Sequence, residues 1–295
     1  MPSIQHREEF LFIYDVTDAN PNGDPMDENK PRIDEETSIN IVTDVRLKRT
    51  IRDFLFNYKG HDGTGDKDIF VRTTESAKGG LKDGKERAGD FKNDKDSIIQ
   101  KCIDIRLFGG VLPLDKDSIK FTGPVQLKMG RSLHQVQLNM MQGTGAFAGT
   151  AGKKQQTFRT EYVLPYSLIA FYGVINENAA KSTGLSENDV EEFYEAMWEG
   201  TKNLISRSKM GHMPRLLLKM KYSKPHFFIG DLDRLVKLQR NEGLKGDEKI
   251  RSINDFVLDL SAVNQQAEQH KDNVAATELI TDGRIKVTGW NQDQK

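Results

Sequence analysis

Apolar and polar positions between Glu8 and Val16 place Phe10, Phe12, Tyr14 and Val16 on one side of a strand and Leu11 and Ile13 on the other. A strand apolar on both faces is covered on both, so this one is expected near the middle of its sheet. Thr17 to Asn40 is dense in Pro, Gly, Asn and Asp and reads as a loop. The period then changes. Leu47, Ile51, Phe54, Leu55 and Tyr58 share a sector of about 100° at helical spacing, and Thr43 stands where an N-cap belongs. A helix to about Tyr58 is therefore expected.

Gly60 to Asp96 is polar and rich in Gly and Lys, with Ile69-Phe70-Val71 its one segment apolar enough for a short strand; it reads as a long mobile insertion. A helix from Asp96 to Phe108 should follow, ended by Gly109-Gly110. Ile119 to Met129 and Glu161 to Ile175 read as the second and third core strands. Between them, Gly130 to Thr160 is too polar for core. Ser186 caps a helix to about Ile205, with Val190, Phe193, Tyr194, Met197, Trp198 and Ile205 on its apolar face. Leu216 to Tyr222 is a fourth strand, followed by Phe227-Phe228-Ile229. Asp247 to Leu260 is expected as a helix and Arg284 to Val287 as a final edge strand. The core order is strand, helix, strand, strand, helix, strand. That is an α+β, ferredoxin-like arrangement of the kind RNA-recognition domains share, here with large insertions.

The 295 residues suffice for one large domain with insertions or two ordinary ones. No window approaches the roughly 18 apolar residues of a spanning helix, and Met1 to Glu9 lacks an apolar signal core. A cytoplasmic protein with no membrane contact is expected. The single cysteine, Cys102, excludes an intrachain disulfide and a Cys-based zinc site. It lies among Ile98, Ile99, Ile103 and Ile105, as a small core residue would.

Net charge changes this picture only when it is mapped. The formal charge is -1, yet Ser118 to Thr160 and Gly200 to Gly230 contain no carboxylate. Lys120, Lys128, Arg131, Lys153, Lys154 and Arg159 lie in the first stretch. Lys202, Arg207, Lys209, Arg215, Lys219, Lys221 and Lys224 lie in the second. Exclusion of acids from two long stretches is what a polyanion-binding surface requires. The alternative is that these cations pair with acids distant in sequence.

Candidate chemistry sharpens the first option. On the first helix Lys48, Arg49 and Arg52 share one flank by helical angle, and Thr43 adds cap N–H groups, a combination suited to a phosphate backbone. A solvated helix face is the alternative. Asp18, Asn20, Asn22 and Gly23 open a calcium-loop pattern, but Asn29 stands where the chelating Glu belongs. A loop whose side chains bond its own backbone fits better. Gly143, Gly145 and Gly149 lack the spacing and following helix of a nucleotide-binding turn. They suit a flexible tip, or with Lys153, Lys154, Phe158 and Arg159 a finger that clasps a strand. Six scattered histidines show no metal-ligand spacing. His134, between Arg131 and Gln135, is the best proton donor if the chain is a nuclease, and otherwise an RNA contact or a partly buried residue. No metal or cofactor is expected.

Several segments together resemble the CRISPR-associated backbone proteins of type I Cascade, members of the RAMP superfamily. They are Asp15-Val16-Thr17-Asp18 with Asn20-Pro21-Asn22-Gly23-Asp24-Pro25, Pro31-Arg32-Ile33-Asp34, and Thr43-Asp44 with Leu47-Lys48-Arg49 and Ile51-Arg52. Leu107-Phe108-Gly109-Gly110, Gly123-Pro124-Val125-Gln126 with Arg131-Ser132, and Val163-Leu164-Pro165-Tyr166 extend the match over roughly residues 8 to 230. The type I-B subgroup is most similar, with type I-C next.

This resemblance implies a hand-like protein on a modified RNA-recognition fold that polymerises head to tail along CRISPR RNA. The guide is held for pairing with target DNA beside other Cascade subunits, in antiviral defence. The palm would take residues 1–59, 111–129 and 161–262, a finger insertion 60–110, a thumb 130–160, and a C-terminal tail or edge strand 263–295. Thr43, Lys48, Arg49, Arg52, Arg131, Ser132, His134, Gln135, Lys153, Lys154, Phe158 and Arg159 are the expected RNA contacts. The aromatic signature of ordinary RNA-recognition domains is missing, so stacking on the sheet is not expected. The chain would be non-catalytic. Two alternatives stand: a metal-dependent endoribonuclease like the related type III backbone proteins, using Asp18, Asp24, Asp27 or Asp34, and a protein-only scaffold.

Overall fold

The computed structural model describes residues 2–113, 118–148 and 156–291. Strand β1 (Glu8–Ala19) is buried along its first nine residues. The loop after it is tied by a short ladder of Gly23–Asp24 with Lys30–Pro31 and by β2 (Ile33–Asp34), which pairs with β3 (Ile39–Val42). Helix α1 (Asp44–Tyr58) follows, with Thr43 as N-cap. Its inward face is Leu47, Ile51, Phe54 and Leu55, whereas Tyr58, expected on that face, is exposed.

Beyond α1 the chain folds into α2 (Gly84–Gly89), α3 (Lys95–Lys101) and α4 (Ile103–Phe108). The expected helix from Asp96 to Phe108 is broken at Cys102, whose extended backbone caps both halves. Residues 60–96 are not the loose insertion their composition predicts. Phe70, Ala88, Phe91, Ile98, Cys102, Ile105 and Leu112 close a small core of their own. Ile69-Phe70-Val71 is not a strand; the ladder there is a single bridge from Asp68 to Cys102.

The strand expected over Ile119–Met129 is two. Strand β4 (Gly109–Pro113) pairs with β5 (Ser118–Thr122) in a separate hairpin, and β6 (Val125–Leu127) joins the main sheet. The break has a steric cause. Gly109 has φ +67°, and a Cβ on it would lie 2.2 Å from the Phe121 carbonyl oxygen, while one on Gly123 would lie 2.0 Å from the Phe108 carbonyl carbon. Two backbones cross there at a distance that only glycine permits.

Strand β7 (Gly130–Gln135) lies in the main sheet although its segment reads as too polar for core. Strand β8 (Asn139–Ala148) forms a hairpin with the first part of β9 (Gln156–Ile175), whose second part pairs with β1. Helices α5 (Glu177–Thr183) and α6 (Glu187–Lys202) come next, the latter opened by a Ser186/Asp189 capping box. Ile205 lies past the end of α6 and is exposed. Strand β10 (Met213–Tyr222) pairs with β1.

The C-terminal part departs most from expectation. Asp247–Leu260 holds two 3-10 turns and β12 (Phe256–Asp259), which pairs with β11 (Lys237–Arg240). Phe256 and Leu258 are buried with Val257 between them less so, a period of two that overrides the helical reading. The helix, α7, covers Ser261–Gln269 instead. The edge of the main sheet is β13 (Val274–Thr281), and β14 (Val287–Thr288) pairs with β12.

Nine strands among the described residues share the main sheet, in the order β13-β10-β1-β9-β7-β3-β2, with β6 and β8 also paired to β9. Both faces are covered. Phe10, Phe12, Tyr14 and Val16 meet α1, α6 and α4. Leu11, Ile13, Leu168, Leu216 and Leu218 meet Leu232, Val236, Phe256, Leu258 and Val263 of the C-terminal cap. Each fully buried Phe or Leu contributes about 1.5–3 kcal/mol, so this two-sided burial fixes β1 at the centre. Glu9 clamps the cap chain: it accepts the Ile229 and Gly230 N–H groups at 2.8 Å and the hydroxyls of Tyr172 and Tyr222.

Candidate nucleic-acid interface

Helix α1 begins with a hydrogen-bonded chain. Asn22 Oδ1 accepts from Thr43 N–H (2.8 Å) and its hydroxyl (2.9 Å), and Thr43 Oγ1 accepts from Arg46 N–H (3.3 Å). Asn20 likewise donates to the Asn29 carbonyl, so the Asx-rich loop spends these side chains on its own backbone. Thr43 is thereby a capping residue.

The cations expected on α1 separate into different roles. Arg52 is 8% exposed; its Nε donates to Asp104 at 2.9 Å, and its guanidinium lies 5.0 Å from the Phe108 ring. Asp104 also accepts the N–H groups of Phe70 (2.7 Å) and Val71 (3.0 Å). This corrects the expectation for Arg52, which rivets the 60–108 segment to α1 and is turned away from solvent. Lys48 pairs with Asp44 (2.9 Å) and lies over Phe108, and Arg49 pairs with Asp53 (2.9 Å) and donates to the Val71 carbonyl. Helical spacing puts three cations on one flank, but acids one turn away on the same helix pair with two of them and the 60–108 segment covers that flank.

On β7 only alternate residues face outward. Arg131 is exposed, 3.7 Å from Asp34, and Gln135 is exposed with its amide directed to the Thr37 carbonyl. Ser132 and His134 are buried, a correction to both expected RNA contacts. Ser132 accepts from Asn40 N–H and donates to the His134 carbonyl. His134 is bonded through Nδ1 to the Gln135 carbonyl and accepts the Leu168 N–H on Nε2, its ring stacked on Tyr166. Burial lowers its pKa, so the ring is neutral and structural. Phe158 and Arg159 face Thr144 and Gly143 across the β8–β9 ladder. Lys153 and Lys154 lie outside the described residues.

Much of the acid-free sequence finds acids in space. Lys128 meets Asp231 and Asp233; Arg207 meets Glu161; Arg215 meets Asp15 and Asp282; Lys219 meets Glu278; Lys221 meets Glu8 and Glu187. The loop acids are engaged as well: Asp24 with Arg32 and Asp27 with Lys30. Among the described residues no three His, Cys, Asp or Glu side chains gather as metal ligands do.

One group of cations is treated differently. Arg46, in the first turn of α1, and Lys209, on the 203–212 loop, are half-buried, and neither makes an ion pair among the described residues. Burial lowers the pKa of both; for Arg46 the nearby Asp53 opposes this and Arg49 adds to it, and Arg46 adds to the effect on Lys209. Beside them His212 is 3% exposed, and its ring stacks on Tyr14 with centroids 5.6 Å apart. Burial first, then Lys209 and Arg46, push its pKa down to about 3. Its Nε2 and the Arg46 Nε are buried without a hydrogen-bond partner. The loop is anchored: the Ser208 carbonyl accepts the Asn20 N–H at 2.8 Å, and Arg207 binds Glu161 at 2.9 Å.

Like charges held together at partial burial raise the energy of the empty protein and lower it when an anion arrives. Of the three, Lys209 is expected from the sequence only as one cation of a polyanion-binding stretch, and Arg46 and His212 are not singled out. Lys209 and His212 sit inside the acid-free stretch from Gly200 to Gly230, which was the available signal.

Residues 6–261 match the family model described as CRISPR-associated protein Cas7. The chain is 32% identical over 313 aligned positions to the "CRISPR-associated protein Cas7" of Haloferax volcanii, an alignment that covers 96% of this chain and 88% of that protein. Among solved structures it is similar to a chain of a "CRISPR RNA-guided surveillance complex, pre-nicking" (TM-score 0.56, 12% identity, 97% of this chain and 96% of that one). It is also similar to a chain of a "CRISPR RNA-guided surveillance complex" (TM-score 0.53, 13% identity, 97% and 95%). At such identities the two structures speak to the fold alone.

Proposed function

The chain belongs to the CRISPR-associated protein Cas7 family, and from that premise we propose that it is the non-catalytic backbone subunit of a type I surveillance complex, of subtype I-B, acting in the cytoplasm. Copies assemble head to tail along a CRISPR RNA and hold it for pairing with target DNA. The observation that carries this reading is that Arg46 and Lys209, both half-buried, form no ion pair of their own among the described residues, while most other cations of the acid-free stretches do. A guide must be gripped whatever its sequence, and phosphate contacts do that while leaving base edges free.

The sheet order supports an RNA-recognition-like palm. Its central strands run β10-β1-β9 and then β6 and β7, with α1 and α6 on one face. The opposite face, where ordinary RNA-recognition domains stack bases, is buried under the C-terminal cap. RNA therefore runs over the helical side, between the 60–110 finger and the 130–160 thumb, whose β8–β9 hairpin closes over it. A contact between unlike surfaces that does not close gives an open helix, the form that covers a linear strand.

The test is gel filtration with light scattering on the protein mixed with CRISPR RNAs of increasing length. Mass rising in steps of one chain per added length supports the proposal; a fixed mass, or mass independent of RNA, refutes it.

A further inference from the structure

We propose that the polar cavity inside the 60–108 segment is a binding site for a phosphomonoester dianion, held by Lys92 and Lys101. This site does not depend on guide binding. The cavity has a volume of about 600 Å³, within the range of small-ligand pockets. It lies beside the last turn of α1, where the guanidinium of Arg72 in its wall is 5.2 Å from the Phe56 ring, and not beside Thr43 and Arg46 at the helix start.

The wall of the cavity is cationic. Arg72, Lys82, Arg87, Lys92 and Lys101 line it against three carboxylates, Asp68, Asp90 and Asp94, and all three are engaged. Asp68 accepts from Arg72 at 2.9 Å and Arg87 at 2.7 Å, and Asp90 from Arg87 at 2.9 Å and Lys82 at 2.6 Å. Asp94 caps α3 by accepting the Asp96 and Ser97 N–H groups at 3.3 and 3.1 Å. Lys92 makes no ion pair among the described residues, and Lys101 reaches only the fully exposed Asp66 at 3.5 Å. Two positive charges are left over in the wall of one space, which matches a dianion.

Donor geometry selects the kind of anion. The Arg72 and Arg87 guanidiniums, whose planar forks suit carboxylates, are already turned on Asp68. What remains are ammonium groups, point donors from separate turns, with the hydroxyl-bearing Thr74 and Ser97 also in the wall. Donors of this kind fit the three terminal oxygens of a phosphomonoester better than a flat carboxylate.

The site is built before a ligand arrives. Arg87 is 5% exposed, held by the Ile69 and Phe70 carbonyls and by the Phe91 ring 4.8 Å away. The Asp68 N–H is bonded to the Lys101 carbonyl at 2.9 Å, which ties two walls together. Lys92 stands on a tight turn in which it and Asn93 both take left-handed backbone, φ +59° and +56°. At Gly63, with φ +86°, a Cβ would come within 2.9 Å of Arg72 and Asp68, so only glycine lets this wall close on the network. Preset donors lose little freedom on binding.

A free mononucleotide and the terminal phosphate of a nucleic-acid strand present the same group. Calorimetric titration of the full chain with uridine 5′-monophosphate tests the site, with uridine and succinate as comparisons. The wild type should bind the monophosphate and not uridine. Lys92→Ala/Lys101→Ala should weaken that binding at least about tenfold. Its melting temperature should be unchanged, because neither side chain is buried. Competition by 5′-phosphorylated oligouridine and not by its 5′-hydroxyl form assigns the site to strand ends; competition by neither assigns it to the free ester.

A double variant that binds like the wild type, succinate or uridine binding as tightly as the monophosphate, or equal competition by the two oligouridines overturns the proposal. So does an absence of monophosphate binding. Guide binding is untouched by any of these results, since it is read separately from the mass of the assembly on CRISPR RNA.

Discussion

Arg87, within the 60–108 segment, donates to Asp68 at 2.7 Å, to Asp90 at 2.9 Å and to the carbonyls of Ile69 and Phe70, and its guanidinium lies 4.8 Å from the Phe91 ring. Arg46, at the start of α1, has the Thr50 hydroxyl and the unbridged attraction of Asp53, with Arg49 and Lys209 opposing it. Both side chains are substantially withdrawn from water. In the first neighbourhood, hydrogen bonds and opposite charges outweigh burial and raise the pKa of Arg87; in the second, burial lowers that of Arg46. A cation with a complete set of partners holds the fold. One without an ion pair of its own keeps donors free for a ligand.

The sharpest way to break this comparison is Arg87→Ala. It leaves Asp68 in a buried site with Arg72 and the Ile69 N–H as its remaining partners, and truncating one member of a buried pair costs about 3–5 kcal/mol. Urea titration should show that loss, with the salt slope of RNA binding unchanged; a loss under about 1 kcal/mol would mean the network does not hold the segment. Arg52→Ala should behave in the same way through Asp104, somewhat less because Asp104 keeps two backbone N–H partners.

Arg46→Ala belongs to the opposite class. It should lower RNA affinity about tenfold, or about 1.4 kcal/mol, for every guide sequence alike, measured by filter binding on unrelated RNAs. A stability loss as large as that of Arg87→Ala would place Arg46 with the rivets.

Acid titration separates the classes further. Burial would raise the Glu192 carboxyl, but bonds from His61 at 2.7 Å and Lys67 at 3.1 Å outweigh it and hold the pKa at about 2, below the usual 4.5. The sign follows from the depressed value. This contribution to stability is present above about pH 4.5 and is lost as pH falls toward 2. Glu192→Gln should flatten the dependence of the melting temperature on pH in that window and leave it alone near neutrality. The smallest effect is expected for Lys59→Ala, which removes a partly exposed pair with Glu195 and should cost about 0–1 kcal/mol.

Local periodicity and capping chemistry made much of the fold legible. The two-faced pattern of Phe10 to Val16 required a central strand, and Thr43 and Ser186 marked two helix starts because their hydroxyls accept the first free N–H groups. Elements defined by their partners were not legible. Strand β13 is largely polar and only partly buried, and its ladder with β10 is what makes it a strand. The insertion hid its core because Phe70, Phe91 and Cys102 are isolated in a polar sequence and meet only in space.

The site was legible as charge and not as geometry. Arg52 and Asp104 are 52 residues apart, so no local count of charge reveals that they neutralise each other. Likewise Arg46 stands out only when the 203–212 loop is laid against it. His134 misled for a related reason: Arg131, its basic neighbour on β7, lies on the opposite side of the strand from its ring.

The most direct test of the account measures log Kobs against log salt for wild type and the Arg46→Ala/Lys209→Ala double variant on two CRISPR RNAs of unrelated spacer sequence. The wild type should give one common slope, and the double variant should fall by about two on both RNAs. An unchanged slope, or a loss confined to one spacer, would contradict the claim that unpaired cations grip the ribose-phosphate chain irrespective of base order.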